Sequence, residues 1–140
     1  MAEPERTGDH AARVLLAEDE PSIVASLSFL LGRAGFAVDV ETNGERVVER
    51  AIAAPPALLV LDVMLPGIDG FEALRRLRAS ARCLTLPIVM LTAKGQREDR
   101  ETALRLGADA FISKPFANAE VVDAVRRLVD QGRAAGVRTV

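Results

Sequence analysis

Short apolar runs alternate with longer amphipathic segments five times along the chain. The apolar runs predict β-strands at 14–17, 37–41, 58–61, 87–91 and 110–113. Apolar positions at helical spacing predict five helices. The first starts at 21 and stops before Gly35, the second spans 44–54, and the third runs from the 66–70 turn to about 79. The fourth spans 96–106, and the fifth is capped by Asn118 and reaches about 131. Glycines and prolines separate the two kinds of segment, with Pro55 and Pro56 ending the second helix and Gly107 the fourth.

Strict alternation of strand and helix predicts an α/β fold with a doubly wound, five-stranded parallel sheet. The apolar run 58–61, Leu-Leu-Val-Leu, has no polar alternation, as expected of a parallel strand that helices cover on both faces. We assign 13–131 to this domain, after a polar segment at 1–12 and before a short tail at 132–140. Ligands of such sheets bind beyond the carboxyl ends of the strands.

Composition limits the functions that this domain can have. A length of 140 residues fits one domain, and a net charge of −2 supplies no cationic field for nucleic acid. No apolar run approaches the ~18 residues of a membrane span, and residues 1–10 lack the apolar core of a signal peptide, which predicts a cytoplasmic protein without a membrane partner. We assign no role to Cys83, the only cysteine, or to His10, the only histidine.

Polar residues mark the predicted carboxyl ends of four strands: Glu18, Asp19 and Glu20 at the first, Asp62 at the third, Thr92 at the fourth and Lys114 at the fifth. Several carboxylates at one rim repel one another unless some are protonated or a cation lies among them. Oxygen ligands from Glu18, Asp19 and Asp62 suit a hard divalent ion such as Mg²⁺ or Mn²⁺. The sequence therefore predicts a metal site beside a lysine and a hydroxyl, which fits a phosphoryl group.

Asp62 is the candidate nucleophile of this site. A carboxylate beside a metal can attack phosphorus in line and form an aspartyl phosphate, while Lys114 and Thr92 hold the phosphoryl oxygens. No residue of this set is a good general acid or base for turning over a foreign substrate. We therefore predict a switch that is loaded with phosphate rather than an enzyme.

Four segments carry a resemblance to a known family. They are Val-Leu-Leu-Ala followed by Glu18-Asp19, Leu-Asp62-Val-Met-Leu-Pro-Gly-Ile-Asp-Gly, Leu-Thr92-Ala, and Phe111-Ile-Ser-Lys114-Pro-Phe. In order and spacing, over roughly 13–131, the chain resembles the response-regulator receiver domain of two-component signalling. The resemblance implies a flavodoxin-like (βα)5 fold with strand order 2-1-3-4-5.

The resemblance also implies a role for each acidic residue. Asp62 corresponds to the phosphoacceptor and, with Asp19, to a direct ligand of Mg²⁺, for which Mn²⁺ can substitute. Glu18 corresponds to a ligand through water, and the backbone carbonyl of Met64 to a further ligand.

The remaining site residues correspond to groups that hold the phosphoryl oxygens or respond to them. Lys114 and the backbone N–H of Ala93 would bind these oxygens, and the Thr92 hydroxyl would move toward them. Phe111 corresponds to the aromatic that rotates into the space Thr92 leaves. The Lys114-Pro115 bond is expected to be cis.

The implied function is that of a response regulator phosphorylated by a histidine kinase or a histidine phosphotransfer protein. Because only 132–140 follow the last predicted helix, we expect a receiver that stands alone. Its output would then be a change at the surface around the fourth helix, fifth strand and fifth helix, which controls binding of an unknown protein or relays phosphate. The protein would be a monomer or a phosphorylation-dependent homodimer.

A receiver of the DNA-binding subfamily type, which dimerises on phosphorylation, is the main competing interpretation. Lys-Pro-Phe at 114–116 is typical of that subfamily, and Arg100 and Glu120 can pair across such a dimer. Ala110 and Ala124, however, replace an acidic residue and an arginine that are usual there.

Two enzyme or ligand-binding classes fit the sequence less well. An aspartyl-phosphate hydrolase of the haloacid dehalogenase kind needs a second aspartate two residues after the nucleophile, where this chain has Met64. A nucleotide or flavin binder needs a glycine-rich phosphate loop after the first strand, where this chain has 18–20, three acidic residues. A further hypothesis is that Met64 and Lys94 shield the phosphoryl group from water.

Overall fold

The computed structural model describes residues 11–92 and 97–139, with side chains described as far as 132. In these residues five strands alternate with five helices. The strands are β1 (Arg13–Ala17), β2 (Ala37–Glu41), β3 (Leu58–Asp62), β4 (Ile88–Thr92) and β5 (Ala110–Ser113). The helices are α1 (Pro21–Arg33), α2 (Gly44–Ala53), α3 (Gly70–Arg78), α4 (Arg97–Arg105) and α5 (Asn118–Thr139), and a single 3-10 turn spans Ala81–Cys83.

The strands form one parallel sheet in the order β2-β1-β3-β4-β5. This confirms the predicted doubly wound, flavodoxin-like fold. Asp62 is the last residue of β3 and lies opposite Leu91 of β4, while Thr92 ends β4 opposite Ser113 of β5. Because all strands point the same way, the predicted site residues lie at one rim of the sheet.

Two hydrophobic cores lie on opposite faces of the sheet because side chains alternate along each strand. Val14 and Leu16 of β1 belong to the core that α1 and α5 cover, together with Leu27 and Val125. Leu15 and Ala17, the neighbours of these strand residues, belong to the core beneath α2, α3 and α4. That second core also contains Val47, Leu74 and Ala103.

Local signals set the start of α3 and the end of α4, and the end at Gly107 is the one that the sequence predicts. Asp69 caps α3, and its side chain accepts a hydrogen bond from the N–H of Glu72 at 2.9 Å. At the far end of α4, Gly107 adopts a φ of 106°, which a residue with a side chain rarely does. The next residue, Ala108, donates its N–H back to the carbonyl of Ala103 at 2.9 Å and closes the helix.

The last helix departs from the prediction at both ends. It begins at Asn118 itself rather than being capped by that residue, and it continues past 131 to Thr139. Gly132 does not stop it, because one glycine costs a helix only about 1 kcal/mol and strong helix formers, Arg133 and Ala134, follow. Residues 132–139 of the predicted tail are therefore part of α5.

Candidate functional site

Three carboxylates meet at the carboxyl rim of the sheet. Glu18 and Asp19 follow β1, Asp62 ends β3, and one oxygen of each lies within 4.8 Å of the others. Glu18 is fully buried and Asp62 is 2% exposed, whereas Asp19 is open to solvent. The fold thus brings together the acidic residues that the sequence proposes as metal ligands.

Lys114, just after β5, supplies the positive charge of this cluster. Its Nζ lies 3.1 Å from Oδ2 of Asp62, to which it donates a hydrogen bond. The same ammonium lies 3.4 Å from Oε1 of Glu18 and 3.9 Å from Oε1 of Glu20. A single lysine therefore faces three carboxylates.

The protonation of the site reflects its burial and its crowding. Burial, together with the Asp62 carboxylate beside it, raises the pKa of Glu18 to about 7, against the opposing effect of the Glu20 N–H and of Lys114. Burial alone would lower the pKa of Lys114, but the Asp62 and Glu18 carboxylates outweigh it and raise that pKa. The Lys114 ammonium and the raised pKa of Glu18 each lessen the repulsion among the carboxylates.

The loop after β3 holds the second oxygen of Asp62. The backbone N–H of Met64 donates to Oδ1 of Asp62 at 3.1 Å, and the Met64 side chain is 65% exposed at the rim. Gly70 closes this loop by donating its N–H to the Val63 carbonyl at 2.8 Å, and a methyl group on Gly70 would collide with the Asp62 carbonyl. Asp62 is therefore oriented from two sides, by Met64 and by Lys114.

The predicted switch residues lie on the two strands next to β3. Thr92 is 2% exposed at the end of β4, and Phe111 of β5 is half-buried against the core beneath α2, α3 and α4. The Lys114-Pro115 bond is cis, as predicted. Ala93, the predicted backbone donor, and Lys94 and His10 lie outside the described residues.

The donor set suits a hard cation. Among the described residues no donor makes a hydrogen bond to the buried Oε1 of Glu18, and oxygen atoms of Asp19 and Asp62 lie within 4.8 Å of Glu18 oxygen. Several carboxylate oxygens around one point, one of them exposed to water, match the preference of Mg²⁺ for carboxylates and retained waters. The residues present therefore fit the predicted ion.

Two rim residues outside the predicted site also make contacts there. Glu20 is the third carboxylate that faces Lys114. Glu41, at the end of β2, is 9% exposed and forms an ion pair of 3.2 Å with Arg50. Inspection of the residue that ends the second strand, by the rule applied to the other strands, would have found Glu41.

This fold and this geometry define a class of protein: parallel α/β domains with a rim aspartate, an acidic pair and a lysine at the carboxyl ends of their strands. Residues 14–126 match the response regulator receiver domain family, and the chain belongs to that family. Receiver domains act in two-component signal transduction as phosphorylation-dependent switches. They bind Mg²⁺ at an acidic pocket and interact with histidine kinases or phosphotransfer proteins.

Three similar proteins illustrate the match. The alkaline phosphatase synthesis transcriptional regulatory protein PhoP of Bacillus subtilis (strain 168) is 40% identical over 123 residues, which make up 88% of this chain and 50% of PhoP. The receiver domain of the sensor histidine kinase PA1611 of Pseudomonas aeruginosa PAO1 has a magnesium ion coordinated in its active site cleft. It is 29% identical over 86% of this chain and 98% of that one, with a TM-score of 0.75. The BeF3-activated N-terminal receiver domain of Klebsiella pneumoniae RstA is 31% identical over 84% of this chain and 97% of its own, with a TM-score of 0.76.

The chain spans about half the length of the curated relatives it matches, from 50% to 55% of the first three. The match therefore concerns their receiver domains. Within the described part of the chain, none of the helices combines the length and the apolar character needed to cross a membrane.

Proposed function

We propose that Asp62 accepts a phosphoryl group from a histidine kinase or a histidine phosphotransfer protein, in a reaction that requires Mg²⁺. One observation carries the proposal: the Asp62 carboxylate is held between the Lys114 ammonium at 3.1 Å and the Met64 N–H at 3.1 Å, beside two further carboxylates. This geometry suits a nucleophile that is oriented before its substrate arrives.

The reaction forms one bond and breaks one. An oxygen of Asp62 attacks phosphorus and forms a P–O bond, while the bond between phosphorus and the donor breaks and its electron pair leaves with the donor. Lys114 then turns from the carboxylate to the phosphoryl oxygens, and Thr92 and the Ala93 N–H bind these oxygens as well.

Asp19, Asp62 and the Met64 carbonyl would hold Mg²⁺ directly, and Glu18 would hold it through water. Bound Mg²⁺, or Mn²⁺ in its place, would offset the negative charge on the phosphoryl oxygens.

The output of this switch is a change of binding at the surface formed by α4, β5 and α5. Movement of Thr92 toward the phosphoryl group opens space for Phe111, which is half-buried beneath α4. To shift an equilibrium from 1:99 to 99:1, phosphorylation must favour the active state by about 5.5 kcal/mol. The partner would be a protein that prefers one state, or a histidine phosphotransfer domain that takes the phosphate onward.

A phosphorylation-dependent homodimer through the same surface is the second candidate. Arg100 and Glu120 line one cavity of about 330 Å³ together with the switch aromatic Phe111, and Asp109 and Arg127 add one charge of each sign to its lining. Exposed ion pairs are worth only ~0–1 kcal/mol each, and Ala110 and Ala124 provide no further charges there. We therefore favour a different protein as the partner.

The stand-alone role and the cytoplasmic location stay predictions.

The test is intact mass after incubation with a small acyl phosphate, with and without Mg²⁺. We expect one added phosphoryl group in the wild type with Mg²⁺ and none in Asp62→Asn. Asp39→Asn is the matched control, because Asp39 is an exposed carboxylate of β2 that pairs with Arg13. Uptake by Asp62→Asn at the wild-type rate, or uptake that does not depend on a divalent ion, would contradict the proposal.

A further inference from the structure

Glu41 is a nearly buried carboxylate at the rim, one strand away from the acidic pair. Its Oε2 accepts hydrogen bonds from the N–H groups of Thr42 at 3.0 Å and Asn43 at 3.1 Å, and its Oε1 accepts one from Arg50 at 3.2 Å. Burial alone would raise the pKa of Glu41, but these donors outweigh it and hold the pKa below its ordinary value. The charged Glu41 side chain therefore holds the turn between β2 and α2, and both of its carboxylate oxygens accept hydrogen bonds.

This turn is bonded to the segment that carries the acidic pair. The backbone carbonyl of Glu41 accepts the N–H of Glu18 at 3.1 Å, directly after the last paired residues of β1 and β2. The position of the Glu41 backbone therefore sets the position of the backbone at 18–19, which carries two of the three clustered carboxylates.

The same turn is bonded to the loop after the phosphoacceptor. Gly44 donates its N–H to the carbonyl of Pro66 at 2.9 Å, and a methyl group on Gly44 would collide with the Ile68 carbonyl. On the other side, Gly67 has a φ of 86°, and a methyl group there would lie 2.9 Å from the side-chain amide of Asn43. The turn at 42–44 and the loop at 66–68 are therefore hydrogen-bonded and closely packed against each other.

We infer that Glu41 is a positioning residue for the cation site: by fixing the 42–43 turn, its carboxylate holds the backbone segments 18–19 and 62–66 at the spacing that Mg²⁺ binding needs. The inference rests on the proposed function, because it takes Asp19, Asp62 and the Met64 carbonyl as the ligands. Groups that orient metal ligands without touching the metal typically change its affinity 10- to 100-fold when they are removed.

The test compares Glu41→Ala with Asp39→Ala, a matched control that removes an exposed carboxylate from the same strand. Mg²⁺ affinity is measured by calorimetry at a temperature where circular dichroism shows each variant folded. We expect the Kd for Mg²⁺ to rise about 10-fold in Glu41→Ala and to stay within about twofold of the wild type in Asp39→Ala. Equal Kd values in the two variants would overturn the inference.

A second measurement separates positioning from a general structural defect. Acyl phosphate uptake is followed against Mg²⁺ concentration; we expect Glu41→Ala to need about 10-fold more Mg²⁺ for half-maximal uptake but to reach the wild-type rate at saturation. A lowered rate at saturating Mg²⁺ with an unchanged half-maximal concentration would also overturn the inference.

Glu41→Gln keeps an oxygen for the turn N–H groups but loses the charge, which weakens those hydrogen bonds. We expect it to raise the Kd about threefold relative to Asp39→Asn, a partial rescue, and it decides the question if Glu41→Ala does not fold. A Kd for Glu41→Gln equal to that of Asp39→Asn would then overturn the inference. A wild type that binds Mg²⁺ but takes up no phosphate would contradict the proposed function and leave the Kd comparison intact.

Discussion

Arg78, the last residue of α3, offers the sharpest test of what stabilises this domain. Its side chain is 16% exposed and donates to the Gly107 carbonyl through Nε at 3.1 Å and Nη2 at 2.8 Å, and to the Cys83 carbonyl through Nη1 at 2.8 Å. Nη2 also pairs with Asp109 at 3.2 Å, and that carboxylate accepts the N–H of Ile88 at 2.8 Å. One guanidinium thus links α3, the 3-10 turn and the starts of β4 and β5.

The substitution Arg78→Met keeps much of the length of the side chain and removes every donor. Each carbonyl loses a hydrogen bond to a charged group, worth about 1.5 kcal/mol at the lower end, while the pair with the exposed Asp109 adds ~0–1 kcal/mol. We therefore expect a loss of about 3 kcal/mol in the free energy of unfolding. For a domain of this size that corresponds to a fall of about 10 °C in Tm.

The assay is urea unfolding followed by far-UV circular dichroism, because the chain has neither tryptophan nor tyrosine. Arg76→Met is the control, since Arg76 is exposed and, among the residues that the structure describes, forms its ion pair with Glu72 on its own helix. Arg78 lies at the end of the sheet opposite the carboxylates, so phosphoryl uptake by the folded variant should equal that of the wild type. A loss below about 1 kcal/mol, or one equal to that of Arg76→Met, would refute the reasoning.

Three further predictions concern charge and exposure. The hypothesis that Met64 shields the phosphoryl group from water predicts that Met64→Asn speeds the loss of phosphate from the loaded protein, followed by intact mass; an unchanged rate contradicts the hypothesis. Lys114→Met should lower the Kd for Mg²⁺ at least threefold, because the Lys114 ammonium, 3.1 Å from Asp62, repels an incoming cation. The same variant should slow phosphoryl uptake, because it removes a group that would hold the phosphoryl oxygens. Calorimetry that shows weaker Mg²⁺ binding would refute the first expectation. Hydrogen bonds from Arg75 and Arg76 lower the pKa of Glu72 to about 2. The contribution of these pairs to the stability of the fold is therefore complete above pH 4.5 and is lost as pH falls through about 2. NMR titration should show that pKa return toward 4.5 when both arginines become glutamine, and a wild-type value near 4.5 would exclude the effect.

The alternation of apolar runs and helical segments predicts this fold because parallel strands are buried on both faces and leave a clear signal. The site follows from the same reasoning, since Glu18, Asp62 and Lys114 come at strand ends that a parallel sheet must place at one rim. The sequence pattern does not determine the distances between side chains on neighbouring strands and turns. The burial that raises the pKa of Glu18 and the contacts that engage Glu41 depend on how closely neighbouring strands and turns approach.

Helix length is the other quantity that the local sequence does not determine. Gly132 is a reasonable place to end α5, yet the helix continues to Thr139 because helix-favouring residues on both sides outweigh one glycine. Composition near a boundary therefore predicts the presence of the last helix better than its extent.

The contact between Lys114 and Asp62 joins residues that are 52 positions apart in the chain. A contact of such long sequence separation forms only after a long loop has closed, which costs conformational entropy. β5 must dock beside β4 before the ammonium reaches the carboxylate. A nascent chain whose last strand has not yet left the ribosome therefore lacks the assembled site. The candidate site is therefore complete only once the last strand has joined the sheet.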